Sequence, residues 1–288
     1  KDLMTGTPPP LLALTGELPA QLNSGDIELI SALRRISASL GAALVGVGGR
    51  PLELDPVAVA TALTVRAPGL PVLVGSDGIG DAPYNAARRF LTLDHLSGGR
   101  SGVVFRSGTG VAAQTAERVS VIRSLWNSWP VQTLLGDRER GVYATTDSIR
   151  RIEHSGEYYR VAGALNSPTS RQSEPVSSWQ VSSEAELRAA HGLVDVVIVA
   201  GDAPLLVEAW RSLDQETRPA LAAAPGVADP DATFSYLEAR TLGDLERLIG
   251  ELPELPHEFA SAQTLRARLG LPARTFDLSD KPLAFGAA

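Results

Sequence analysis

The sequence predicts an α/β fold built on a parallel sheet, and three observations carry that prediction. Apolar runs of strand length alternate with amphipathic stretches of helical spacing. About seven such runs occur, and strands separated by helices imply right-handed crossovers between parallel neighbours. The chain has 288 residues, 44% of them hydrophobic and 20% charged, enough for one large barrel or two ordinary domains. The rhythm alone suits a closed barrel and a doubly wound sheet equally.

Leu11–Thr15 reads as the first strand. Ile27, Ile30, Leu33, Ile36 and Leu40 recur at helical spacing, so Asp26–Leu40 reads as a helix that Ser24 or Asp26 would cap. Ala42–Val47 is a second strand, ending in Gly48-Gly49. Asp55 should cap Pro56–Arg66, where proline takes the favoured first position. Leu70–Gly75 is a strand, Pro83–Leu96 a helix, Gly102–Phe105 a strand and Val111–Trp126 a long helix. The rhythm then breaks: about 127–175 is rich in glycine and proline and reads as an irregular excursion with a small hairpin around Ile149–Ala162. It resumes with a strand at Val176–Val181, a helix at Ser183–His191, a strand at Val194–Ala200, a helix at Pro204–Leu213 and a strand at Ala220–Ala224. Leu242–Leu252 and Ala260–Leu269 read as helices. The whole, residues 1–288, is expected to form a single domain.

Composition excludes several classes of function. A formal net charge of −7 leaves no basic footprint for nucleic acid or an anionic membrane. With no cysteine there are no disulfides, thiolate metal sites or cysteine nucleophile, and His95, His154, His191 and His257 are too scattered for a local metal motif. No metal is expected. The longest apolar runs are far shorter than a membrane span and no leader is visible, so a cytoplasmic protein is expected. Gly-x-Ser-x-Gly and P-loop motifs are missing, and Gly108-Thr109-Gly110 is too short for a dinucleotide fingerprint.

The segment Pro83-Tyr84-Asn85-Ala86-Ala87-Arg88-Arg89-Phe90-Leu91-Thr92-Leu93-Asp94-His95-Leu96-Ser97-Gly98-Gly99-Arg100 resembles a signature of luciferase-like, flavin-dependent monooxygenases. The nearest likeness is to the branch containing nitrilotriacetate and dibenzothiophene-sulfone monooxygenases. Leu125-Trp126-Asn127-Ser128-Trp129, the block Ile152–Asn166 and Leu265–Leu271 resemble further blocks of that branch in the same order. The resemblance runs from about residue 83 to 271. It implies a bacterial-luciferase-like (β/α)₈ (TIM) barrel with its site at the C-terminal ends of the strands. It also implies reduced FMN, delivered by a separate flavin reductase, that oxygenates a small organic substrate. A deazaflavin is a variant of this expectation, and a homodimer is expected, with Trp126 at a candidate interface. In their own chemistry Asp94, His95 and Arg100 read as structural, with Arg88 and Arg89 beside Asp94 and Gly98-Gly99 allowing a tight turn.

Flavin phosphate requires N–H groups and hydroxyls, usually at a helix N-terminus. Gln180-Val181-Ser182-Ser183-Glu184-Ala185-Glu186 stands where the branch carries its phosphate element, and Ser182 and Ser183 keep hydroxyls there. The branch's glycine is replaced by Glu186 or Leu187, depending on register. Ser183-x-x-Glu186 equally fits a helix cap. Ser76 and Ser107 are the candidates for touching the flavin ring, and His154 for acid–base assistance, although it also reads as a surface-loop histidine. Tyr158 and Tyr159 either line the pocket or pack the hairpin. Gly48, Gly75, Val104 and Gly108 stand where the branch has polar groups. Two functions follow: a flavin-dependent monooxygenase, or a degenerate barrel that has lost tight flavin binding, with no cofactor of its own, and serves as a partner subunit or binding protein.

Overall fold

The computed structural model describes residues 8–48, 52–77, 81–108, 111–200, 202–223, 231–274 and 276–285. Eight of its strands form one parallel sheet: β1 (Leu11–Leu14), β2 (Ala42–Val45), β3 (Val72–Ser76), β4 (Ser101–Phe105), β9 (Val176–Val181), β10 (Val196–Val199), β11 (Ala220–Ala222) and β12 (Tyr236–Ala239). Their spatial order is β11-β10-β9-β4-β3-β2-β1-β12. The two outer strands meet through a parallel bridge between Ala222 and Phe234, whose N–H donates to the Leu221 carbonyl at 2.9 Å. The sheet therefore curls into a nearly closed ring, and the open doubly wound alternative falls. Helices α2 (Ile27–Ile36), α3 (Pro56–Arg66), α4 (Pro83–Ser97), α5 (Ala112–Trp126), α6 (Glu184–Ala190) and α7 (Ala203–Arg211) lie between successive strands of the ring, and α8 (Leu242–Glu251) follows the last of them.

Strand side chains alternate between two cores, as the period of two requires. Leu11, Ala13, Leu44, Leu73, Val104 and Ile198 fill the ring, while Leu12, Leu14, Val45, Val74, Val103 and Phe105 meet the helices. Local chemistry sets the helix starts. Asp26 accepts the Leu29 N–H at 2.9 Å and Asp55 the Val57 N–H at 3.0 Å, as expected of both caps. At the floor, α9 (His257–Ala260) and α10 (Leu265–Arg268) replace the single helix expected over Ala260–Leu269, because Thr264 caps a new start by accepting the Ala267 N–H. Leu265 and Leu269 of this segment plug the N-terminal end of the ring.

Three elements escape the sequence pattern. A short helix, α1 (Leu18–Ser24), carries Pro19 in its first turn and ends at a left-handed Gly25. The excursion contains the expected hairpin, β7 (Arg151–Ser155) with β8 (Arg160–Gly163), and a second one, β5 (Leu134–Asp137) with β6 (Val142–Ala144). The eighth barrel strand, β12, is a four-residue Tyr-Leu-Glu-Ala run, too short and too polar to register as a buried strand. Trp126 is fully buried, its indole N–H on the Ala87 carbonyl at 2.9 Å, so it belongs to the α4–α5 core and not to an interface.

Candidate functional site

The strands point their C-terminal ends to one rim of the ring, where parallel α/β barrels carry their sites. Extending the inward-facing rows beyond the apolar core gives the lining of the mouth. Leu11 and Ala13 lead to Thr15, Leu73 and Gly75 to Asp77, Val104 to Arg106, Val176 and Ser178 to Gln180, and Tyr236 to Glu238. The contacts agree with that parity. The Thr15 hydroxyl donates to Glu238 at 2.5 Å, and Arg106 pairs with Asp77. Burial pushes the Tyr236 hydroxyl up to about 12; nearby Glu238 adds to the shift and Arg106 opposes it. The site is thus a polar collar of opposite charges above an apolar barrel.

None of these collar residues was offered as a site residue, although the sequence sets Gln180 and Asp77 against site positions of the family, and the alternation itself could have found those on the recognised strands. Ser76 and Ser107 have the opposite parity. Ser76 shares the outer face of Val74, and its hydroxyl accepts Arg118 Nη1 at 3.0 Å. Ser107 lies beyond Phe105 on the helix side, buried next to Glu186 but without a hydrogen bond of ordinary geometry. Position 75 admits no side chain, since a Cβ there would stand 2.2 Å from the Gly46 carbonyl oxygen. Gly48 has φ +75, and a Cβ there would meet Thr15 Cγ2 at an ordinary 3.7 Å, while Gly49, Thr109 and Gly110 lie outside the described residues.

Ser182 and Ser183 come together with Glu186 at the start of α6. The Ser183 hydroxyl accepts the Glu186 N–H at 3.3 Å. The Glu186 carboxylate turns back to accept the Ser182 N–H at 2.7 Å and its hydroxyl at 2.8 Å. Burial works to raise the Glu186 pKa, but the neighbouring Ser107 hydroxyl and the Ser182 and Ser183 groups outweigh it and hold the carboxyl below its ordinary value. The donors that a flavin phosphate would need are already engaged by an anion of the chain itself. A second anion here would face a carboxylate held ionised, so these residues do not fit a phosphate.

His154 sits on β7, outside the ring. Its Nε2 lies 2.8 Å from Glu117 of α5, which also accepts the N–H groups of Tyr158 and Tyr159 at 3.0 and 2.8 Å. Burial tends to raise the Glu117 pKa, and these donors lower it overall. The cluster fastens the hairpin tip to the helix layer. The structure does not bring His154 together with the four serines.

The signature residues gather at the opposite end. Asp94 Oδ1 accepts the Ser101 N–H at 3.2 Å, the Ser101 hydroxyl at 2.9 Å and Gln172 Nε2 at 2.7 Å. Gln172 Oε1 accepts the Arg266 N–H at 3.1 Å, and Arg266 forms a two-pronged pair with Asp195 at 2.8 and 3.1 Å. The family-like segments around residues 94 and 266 are therefore joined by one buried polar belt. Arg89, expected beside Asp94, instead pairs with Asp55 and Asp81. A cavity of about 780 Å³ also opens at this end, between Trp210, Arg218 and Arg274. Asp195, the buried carboxylate on its wall, is consumed by Arg266 and Arg274. Among the described residues no group of acidic or histidine side chains is placed to hold a metal, and no helix is long and apolar enough to cross a membrane.

No family model matches the chain. It is 31% identical over 191 residues to a subunit of the pristinamycin IIA synthase of Streptomyces pristinaespiralis, covering 66% of this chain and 68% of that one. It is 32% identical over 150 residues to dibenzothiophene-sulfone monooxygenase of Rhodococcus erythropolis, a match spanning 46% of this chain and only a third (33%) of that longer protein. Its fold superposes on EDTA monooxygenase from Chelativorans sp. BNC1 with a TM-score of 0.69 at 17% identity, covering 92% of this chain and 99% of the other. With the nearly closed ring, the ordered sequence blocks and a relative matched over two thirds of its length, the chain belongs to the luciferase-like, flavin-dependent monooxygenase family.

Proposed function

We propose that the chain works in the oxygenation of a small organic substrate by reduced flavin from a separate reductase, as a barrel subunit that does not itself grip the flavin phosphate. The observation that carries this reading is the Glu186 carboxylate on Ser182, where the family resemblance places phosphate. The relative matched over most of its length is by name one subunit of a synthase, which supports a role within an assembly. The partner in this reading is a second, related barrel that holds the flavin; a homodimer of this chain is the alternative assembly. FMN, with a deazaflavin as variant, is the cofactor of the assembly, and the location is cytoplasmic.

A second reading has a specific observation in its favour. The collar of Thr15, Asp77, Arg106, Tyr236 and Glu238 is more polar than a merely structural barrel mouth requires. In that reading the chain binds flavin and substrate there itself, and His154 assists as acid or base only if the hairpin tip leaves Glu117.

Anaerobic titration of the purified chain with reduced FMN, followed by flavin fluorescence, separates the two. The subunit reading expects no saturable binding into the millimolar range. Binding at micromolar concentration would sink it and leave the second.

A further inference from the structure

A second site lies outside the ring, at the end of β3. A cavity of about 340 Å³ opens there between the start of α3 and the first turns of α4, a volume at the small end of ordinary ligand pockets. Its floor is Gly75 and Ser76, one wall is apolar (Pro56, Val57, Phe90), and Arg118 of α5 lines its depth.

Arg118 is the unusual component. It is 3% exposed and forms no ion pair within 4 Å with a described carboxylate. Nη1 donates to the Ser76 hydroxyl at 3.0 Å, Nη2 reaches the Asp81 carbonyl at 3.3 Å, and Nε has no partner. The other buried arginines are better served: Arg123 pairs with Glu174, Arg266 with Asp195, and Arg268 binds the Leu40 and Ser37 carbonyls. A guanidinium taken out of water is costly unless an acceptor meets it.

The surrounding charges select the acceptor. Asp55 and Asp81 share Arg89, and Asp77 is held by Arg106. Three carboxylates thus balance three arginines when Arg118 is included. Arg118 is the one of these three arginines without a carboxylate in contact, so it meets a first added negative charge at close range; that charge already leaves the cavity one negative, and a second would face only the aspartates. The apolar wall asks for a short hydrocarbon portion.

We propose that this cavity binds a short-chain monocarboxylate, its carboxylate on Arg118 and Ser76 and its tail against Phe90, Pro56 and Val57. The cavity borders the mouth at Gly75 and Asp77, but its anion-binding groups Arg118 and Ser76 lie on the helix side, so it stands whether or not the chain binds flavin.

The test is a thermal-shift and calorimetric titration of the full chain with sodium butyrate, sodium succinate and sodium phosphate, each against sodium chloride of equal ionic strength. Butyrate should give a saturable stabilisation that succinate and phosphate do not match. Arg118→Met should weaken butyrate binding at least about tenfold, and Ser76→Ala should weaken it less, while Arg88→Met, an exposed neighbour on α4, should not change it. Should Arg118→Met fail to fold, Ser76→Ala carries the comparison, since it keeps the buried cation. No saturable response to butyrate in the parent, a stronger response to succinate or phosphate, or unchanged affinity in the folded variants would overturn the proposal.

Discussion

Glu186 lays one carboxylate oxygen on both the backbone N–H and the hydroxyl of Ser182, at 2.7 and 2.8 Å. The contact makes the first turn of α6 self-sufficient, and its consequence for stability has a definite sign. The folded pKa of Glu186 lies below its ordinary value, so its contribution is complete above the unfolded pKa and disappears as pH falls through the folded one. Denaturant midpoints of the parent and of Glu186→Gln should therefore differ at pH 7 and converge in acid. A constant difference down to strongly acid pH would refute this assignment.

Ser183→Ala removes the cap that receives the Glu186 N–H and should cost about 1 kcal/mol by urea unfolding. Because Glu186 already occupies the adjacent donors, the same change should leave any flavin response of the chain where it was. A large loss of flavin affinity would instead place phosphate at Ser183.

The floor belt rests on one buried carboxylate. Burial alone would raise the Asp195 pKa, but Arg266 and then Arg274 hold it far below the ordinary carboxylate range. Its contribution is present above the unfolded pKa and fades only at strongly acid pH. Asp195→Ala leaves two arginines and the Ser177 N–H without their acceptor and should cost about 3–5 kcal/mol, measured by chemical denaturation.

Asp94 behaves in the opposite way. Burial raises its pKa, one oxygen receives three donors, and the other has no partner. Asp94→Asn keeps the receiving oxygen and removes the buried charge, so its stability should stay within about 1 kcal/mol of the parent at pH 7, whereas Asp94→Ala should lose about 3 kcal/mol. Equal losses in the two variants would show that the charge itself is required.

His154→Ala should free the tip of the β7–β8 hairpin while costing under about 1 kcal/mol globally, because the pair with Glu117 is partly solvated. Limited proteolysis should then cut faster near Ser155–Tyr159. Unchanged protection with a large loss of oxygenation would favour a chemical role for His154.

Much of the fold was legible because period and punctuation agreed. Asp55-Pro56 and Asp26 announce helices that the structure caps as expected. β12 was not legible, since its inward positions are Tyr236 and Glu238 and its strand character comes from pairing with β1. The site was less readable for a related reason. Hydroxyls were sought near strand ends, yet the strand alternation sends Ser76 and Ser107 to the helix side and Asp77 and Arg106 inward. Parity of position decides who faces the mouth, and residue type does not. Conversely, two of the blocks carrying the family likeness, those around Asp94 and Arg266, proved to be fasteners of the floor, at the end of the barrel opposite the rim.

The bridge between Ala222 and Phe234 works as the clasp of a bracelet. Every other pair of neighbouring barrel strands is joined by a ladder of at least three registered residues, but here one rung closes the circle. Thermal breathing should begin at that fastening, so the amide of Phe234 should exchange with solvent deuterium sooner than those of Val74 or Val103, deep in the unbroken arc.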